Sequence, residues 1–153
     1  MRRIASLIGT VVLVGAAATV AFAHGGIAGA AHSKRVIRAQ IDVPTFVRND
    51  VDTAPTGPSE GDYYVFHDLL QNDRGVHVGR TDGHCTVVAI ESGTTRYQCL
   101  VIETLQEGTI IHDGIFIPND VSHFSIIGGT GDYLGAGGEA IFAAPNIEFS
   151  LTR

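Results

Sequence analysis

Tryptophan is absent from the 153 residues, methionine occurs once, and only 17% of the chain is charged. Basic residues are the scarcer sign, 10 against 16 acidic, for a formal charge of −6. A surface of that sign repels phosphate, which excludes nucleic acid and anionic lipid as partners. Beyond the N-terminal segment no window keeps a 3.6-residue apolar period, which excludes a helical bundle. Cysteine is limited to Cys85 and Cys99, too few for a disulfide-rich scaffold. No internal repeat or shift in composition marks a second domain, and the length suits one.

Glycine and apolar residues are plentiful instead, with 19 glycines and 44% hydrophobic residues. Glycine at that level without a collagen period indicates many turns and tight strands. The first apolar run has a different purpose. Arg2 and Arg3 precede the apolar stretch Leu7 to Val20, and Ala21-Phe22-Ala23 ends it with small residues. This is the pattern of a secretory signal peptide over residues 1–23, with Ala28-Gly29-Ala30 as an alternative end at 30. Its small-residue ending favours cleavage over a retained membrane anchor. The expected organisation is therefore a signal peptide, a flexible leader over 24–34 and one exported domain over 35–153.

Short strand-like runs fill that domain. Ile37, Ala39, Ile41 and Val43 alternate with Arg38, Gln40 and Asp42, as in a half-buried strand. Pro44 to Gly61 contains Pro55, Gly57 and Pro58 and reads as a long loop. Further strands are expected over 62–70, 76–82, 84–90, 95–101, 109–116, 121–127, 139–143 and 147–151, with Gly, Asn, Asp or Pro between most of them. Eight or nine strands at this spacing predict an antiparallel barrel or sandwich. A hairpin turning about Ser92 sets Cys85 opposite Cys99, Val87 opposite Tyr97 and Ala89 opposite Thr95. Directly opposed Cβ atoms lie about 4.5–5.5 Å apart, close to disulfide geometry. Two thiolates of a zinc site are the rival reading of the pair, and a weak one.

The densest glycine cluster is Ile126-Ile127-Gly128-Gly129-Thr130-Gly131-Asp132-Tyr133, continuing to Gly137-Gly138-Glu139. A dinucleotide fingerprint would require a helix and a parallel strand afterwards, and only strand-like residues follow. The seven histidines are scattered, with no H-x-x-x-H pair to organise them, and read mostly as solvent-facing strand residues. His24, if exposed as a new N-terminus, offers an amine and an imidazole that could chelate copper. No metal site is expected within the strands.

The segment Ile-Ile-Gly-Gly-Thr-Gly-Asp-Tyr, followed by Gly-Ala-x-Gly-Glu, resembles the C-terminal signature of dirigent proteins and allene oxide cyclase-like barrels. Phe66-His67-Asp68-Leu69-Leu70 resembles the family's His-Asp strand, and Gly75-Val-His-Val-Gly79 with Gly83-x-Cys85 its next hairpin. The resemblance runs from about Arg35 to Arg153. It implies an all-β fold, an eight-stranded antiparallel β-barrel with a cavity, lipocalin-like in shape. It also implies a stereocontrol or cyclase function on a small apolar or aromatic metabolite of secondary metabolism, with no cofactor. A non-catalytic lipocalin-like binding protein and a structural or interaction domain are the alternatives, and a homo-oligomer stays open.

By the same resemblance Asp68 and Asp132 are the candidate catalytic residues, while the Arg of the plant pattern is Gly137 here. Strand parity puts Tyr64, Phe66, Asp68 and Leu70 on one side, and Tyr97, Cys99, Val101 and Glu103 on one side of another strand. If those sides are inward, Tyr64, Phe66, Tyr97 and Glu103 line the cavity, and burial raises the pKa of Asp68. Asp132, on the glycine-rich connection with Gly128, Gly129, Thr130 and Gly131, is then expected at the cavity mouth.

Overall fold

The computed structural model describes residues 34–152. The expected signal peptide, its two cleavage sites and His24 lie outside the described residues. Nine strands make up one antiparallel sheet: β1 (Lys34–Ile41), β2 (Val47–Val51), β3 (Tyr63–Gln71), β4 (His77–Glu91), β5 (Thr94–Leu105), β6 (Gly108–Phe116), β7 (Ser122–Gly129), β8 (Gly137–Ala143) and β9 (Asn146–Thr152). Single 3-10 turns occupy Val43–Thr45 and Gly131–Tyr133.

Each strand from β3 to β9 pairs with its sequence neighbour, and β1 joins β9, from Lys34 opposite Thr152 to Gln40 opposite Asn146. The last two residues of β1 cross to β3, Gln40 opposite Gln71 and Ile41 opposite Leu70, which closes the sheet on itself. The result is a closed eight-stranded antiparallel barrel with one extra strand. That extra strand is β2, which continues along the same edge of β3, from Val47 opposite His67 to Val51 opposite Tyr63. It lies within the stretch expected to be a loop. All five of its residues are exposed, so it carries none of the apolar alternation by which a half-buried strand is recognised.

Alternation is clear elsewhere. On β7, Ser122, Phe124 and Ile126 are buried while His123, Ser125 and Ile127 are exposed. The inward residues of the eight barrel strands fill the interior, with Leu70, Ile110, Ala140 and Phe149 fully buried. The expected strands over 76–82 and 84–90 merge into the single 15-residue β4. Its hairpin to β5 turns on Ser92 and Gly93, both at positive φ (51° and 81°), as a tight two-residue turn requires. Cys85 stands opposite Cys99 and Val87 opposite Tyr97 as expected, but Ala89 pairs with Arg96, not Thr95. A β-bulge at Val88 absorbs the extra residue. Cys85 and Cys99 form a disulfide across the two strands.

The glycine-rich connection closes one end of the barrel. A Cβ at Gly129 would strike the Thr109 carbonyl oxygen and come within 2.8 Å of Tyr133 Cβ. Gly131, at φ +59°, sits against the Glu107 carbonyl. These close approaches let Tyr133 sink into the barrel end, 1% exposed, with its hydroxyl donating to Glu107 Oε2 at 3.2 Å. Thr130 Oγ1 accepts from the Thr109 amide at 3.1 Å, and the Asp132 amide donates to Glu107 O at 2.9 Å.

Candidate functional site

A cavity of about 180 Å³ occupies the barrel interior. Its walls are largely aromatic: Phe46, Phe66, Phe116, Phe124 and Phe142. Phe66 packs over its β4 partner Gly83, where a Cβ would come within 2.2 Å of two ring carbons. The disulfide sulfurs belong to Cys85 and Cys99, which also line the cavity. Tyr64 and Arg48 stand at its edge, the guanidinium 3.7 Å from the centre of the tyrosine ring and held by Asp50. Both residues also line a neighbouring surface pocket of about 240 Å³ that includes Tyr97. Of the expected lining residues, Tyr64, Phe66 and Glu103 face the cavity. Tyr97 packs edge-on to Tyr64 at 5.3 Å and faces the neighbouring pocket instead.

Besides Arg48 at its edge, the cavity has a buried polar region, and strand register builds it. Asp68 on β3 pairs with Thr81 on β4, and Thr81 pairs with Glu103 on β5. All three point inward and are buried. One inward step away, on β6, His112 is 2% exposed. Thr81 Oγ1 donates to Glu103 Oε2 at 2.6 Å, and Glu103 Oε1 lies 3.1 Å from His112 Nε2. The imidazole is packed edge-on against Phe124 at 5.1 Å and tilted against Phe149 at 5.9 Å.

Three buried polar atoms in this cluster have no hydrogen-bond partner: both carboxyl oxygens of Asp68 and Nδ1 of His112. Thr81 spends its one hydroxyl proton on Glu103, so neither oxygen of Asp68 has a donor while a like charge lies nearby. Burial, reinforced by the Glu103 carboxylate, pushes the Asp68 pKa up to about 7. Its carboxyl is thus half neutral near physiological pH. Asp68 does not itself line the cavity. It stands beside Thr81 and Glu103, which do.

The glycine-rich segment lies elsewhere. Asp132 is exposed on the 3-10 turn at the closed end, beside the β5–β6 turn, and borders none of the cavity. Its expected place at the mouth is corrected by the topology, because the connection from β7 to β8 plugs an end of the barrel with Tyr133. Gly128, Gly129, Thr130 and Gly131 build that plug and do not line the cavity. His112 is the residue that sequence reasoning missed. It shares parity with Ile110 and Phe116, but Ile111 and Ile115 make the opposite face equally apolar, so alternation does not mark the inward side. Among the described residues no three His, Cys, Asp or Glu side chains converge on a metal-binding arrangement.

The closed β-barrel thus encloses an aromatic-walled cavity beside a buried polar cluster, in a barrel of the size that can hold side chains or one small ligand. The chain belongs to the allene oxide cyclase barrel like domain family, whose pattern matches residues 42–147. Comparison with curated proteins gives no match. Among solved structures the chain is similar to a pyocyanin demethylase, with a TM-score of 0.65, 23% identity, 76% of this chain and 98% of the other. It is similar to AbnU, an exo-specific intermolecular Diels-Alderase, with a TM-score of 0.57, 16% identity, 79% of this chain and 99% of the other. It is also similar to the pterocarpan synthase dirigent protein GePTS1, with a TM-score of 0.55, 16% identity, 79% of this chain and 83% of the other. At these identities the likeness establishes the fold.

Proposed function

We propose that this protein is an exported barrel that binds a small, largely apolar aromatic metabolite and steers its ring closure or stereoselective coupling without a cofactor. The observation that carries this reading is the aromatic cavity lined at its polar end by His112, whose buried Nδ1 has no partner within the protein. An unpaired buried polar atom costs about 1–3 kcal/mol, and a bound molecule with polar groups at one end can recover that cost. Phenyl walls hold one conformer of a flat ligand, and the polar end meets charge that develops as bonds rearrange. Related barrels that act as a Diels-Alderase and a dirigent protein support stereocontrol as the use of such a cavity. Export is supported by the N-terminal sequence pattern and by the Cys85–Cys99 disulfide, which suits an oxidising compartment.

Native mass spectrometry of protein purified from its source medium tests the binding. A retained aromatic small molecule is expected. Protein that carries none, and takes up no one- or two-ring aromatic compound, would overturn the reading. Recovery of an offered intermediate always unchanged would leave a carrier in place of a cyclase. N-terminal sequencing of the exported form should begin at His24 or Ala31, and an intact Met1 in the membrane fraction would refute export by cleavage.

A further inference from the structure

We propose that His112 and Glu103 form a proton-transfer dyad in the cavity, with His112 Nδ1 as the base for a ligand bearing a phenolic or enolic hydroxyl. The assignment rests on reading the cavity as a ligand site and goes beyond it by naming the acceptor atom and the ligand group.

The dyad follows from counting partners. Both oxygens of Glu103 are occupied, Oε1 by His112 Nε2 and Oε2 by the Thr81 hydroxyl. A carboxylate only accepts, so Nε2 carries the proton and donates it to Glu103. A neutral imidazole with Nε2–H has a bare Nδ1. The alternative, a second proton on Nδ1, would bury an N–H that has no acceptor, the rarer and costlier kind of orphan. His112 lines the cavity and Nδ1 has no partner in the protein. It is therefore the one nitrogen of the dyad left for a ligand, and the matching ligand group is a donor, an O–H.

The step balances without a further reactant. The hydroxyl proton passes to Nδ1, its electron pair stays on the ligand oxygen, and an aryloxide or enolate forms beside an imidazolium. Glu103 stabilises that imidazolium through Nε2–H and is a positioning residue, since both its oxygens are already engaged. The proton returns from Nδ1 to carbon or oxygen of the same ligand, which makes the overall change an isomerisation or a ring closure. Glu103 on β5 is the titratable group bonded to the imidazole, Asp68 on β3 stands beyond Thr81, and the rings of Phe124 and Phe149 pack against the imidazole.

Two measurements on the whole exported protein test the dyad. Long-range nitrogen–proton NMR of the unliganded protein at pH 7.5 should show His112 as the Nε2–H tautomer with an unprotonated Nδ1. An Nδ1–H tautomer or a doubly protonated ring would overturn the proposal, whatever the cavity binds. The second measurement uses 2-naphthol and naphthalene as probes. Naphthalene reports the apolar cavity alone, so its failure to bind would count against the ligand-site reading and not against the tautomer. Naphthol should bind about tenfold more tightly than naphthalene and emit from the naphtholate form, the signature of a proton acceptor within reach. His112→Phe should keep naphthalene binding, abolish the naphthol preference and leave emission from neutral naphthol only. Glu103→Leu should reduce the preference for naphthol over naphthalene while the NMR signal shows the tautomer preference lost, and an unchanged preference with an unchanged tautomer would overturn the role given to Glu103. Naphtholate emission that persists in His112→Phe would assign the base to another group and overturn the dyad.

Discussion

The two most informative regions of the barrel differ in how they are encoded. The end plugged by residues 128–136 is one contiguous motif in which glycines admit backbone contacts that no side chain tolerates. The polar end of the cavity is assembled from single residues on β3, β4, β5 and β6, none of which stands beside another in the sequence. The first region is conspicuous and structural. The second holds the buried polar groups, and of these only Asp68 falls in a recognisable motif. A dense signature therefore marks where backbone geometry is strict, and reacting groups can lie one per strand wherever register brings them together.

Substitutions in the plug should sharpen that contrast most. Gly129→Val places branched carbon against the Thr109 carbonyl and Tyr133. It should cost about 4 kcal/mol or more, read in urea denaturation as loss of the folded baseline or a much lower midpoint. Folded protein with an unchanged midpoint would mean the plug is not strict.

Removing the disulfide comes next. Cys85→Ala with Cys99→Ala opens a loop of about 15 residues and should cost about 3 kcal/mol. Thermal unfolding should fall by roughly 10 °C. The wall of the cavity should loosen with it, seen as weaker naphthalene binding.

Asp68 provides a smaller, pH-dependent effect. Its pKa is raised from 3.8 to about 7 in the folded state, so between these values the native protein holds a proton that the unfolded chain has released. Stability then falls as pH rises from about 4 to about 7, the reverse of a paired carboxylate. Asp68→Asn should remove that slope. The variant should be more stable than the parent at pH 8 and nearly equal to it at pH 4. Parallel melting curves for the two proteins across that range would show that Asp68 is not buried against Glu103 as described.

The smallest effect is expected at Asp132. Asp132→Asn leaves the amide that binds Glu107 O in place and should change stability by less than about 0.5 kcal/mol. Naphthalene and naphthol affinities should be unaltered. A large loss of ligand binding would bring the glycine-rich end back into the site.

Most of the barrel could be read from the chain because alternation and turn residues agree along β1 and from β3 to β9. The inward sides of β3 and β5 followed from parity once one face was known to be buried. Two kinds of information were missing. Strand β2 is exposed along its whole length and flanked by prolines, so neither burial nor alternation marks it. The bulge at Val88 depends on how two strands twist against each other, which no local pattern records. The site was legible in part for the same reasons. Asp68 and Glu103 break apolar faces and stand out, whereas His112 sits on a strand whose two faces are equally apolar. Asp132 drew attention through its motif, but topology sends that motif to the plugged end.

Strand β2 has a consequence for how the barrel can change. Phe46 and Arg48 reach the cavity from a segment that contributes no buried residue to the core. Its corner is pinned to β3 by main-chain and threonine contacts, the Leu69 amide donating to Thr45 Oγ1 at 2.8 Å and the Asp42 amide to Leu69 O at 2.8 Å. Substitutions at 46 and 48 can therefore reshape the cavity edge at little cost to folding, since the interior packing they would disturb belongs to other strands. The barrel keeps its buried core in one set of residues and this edge of its cavity in another. Changes along this one exposed segment can thus alter the shape of the cavity while leaving the core untouched.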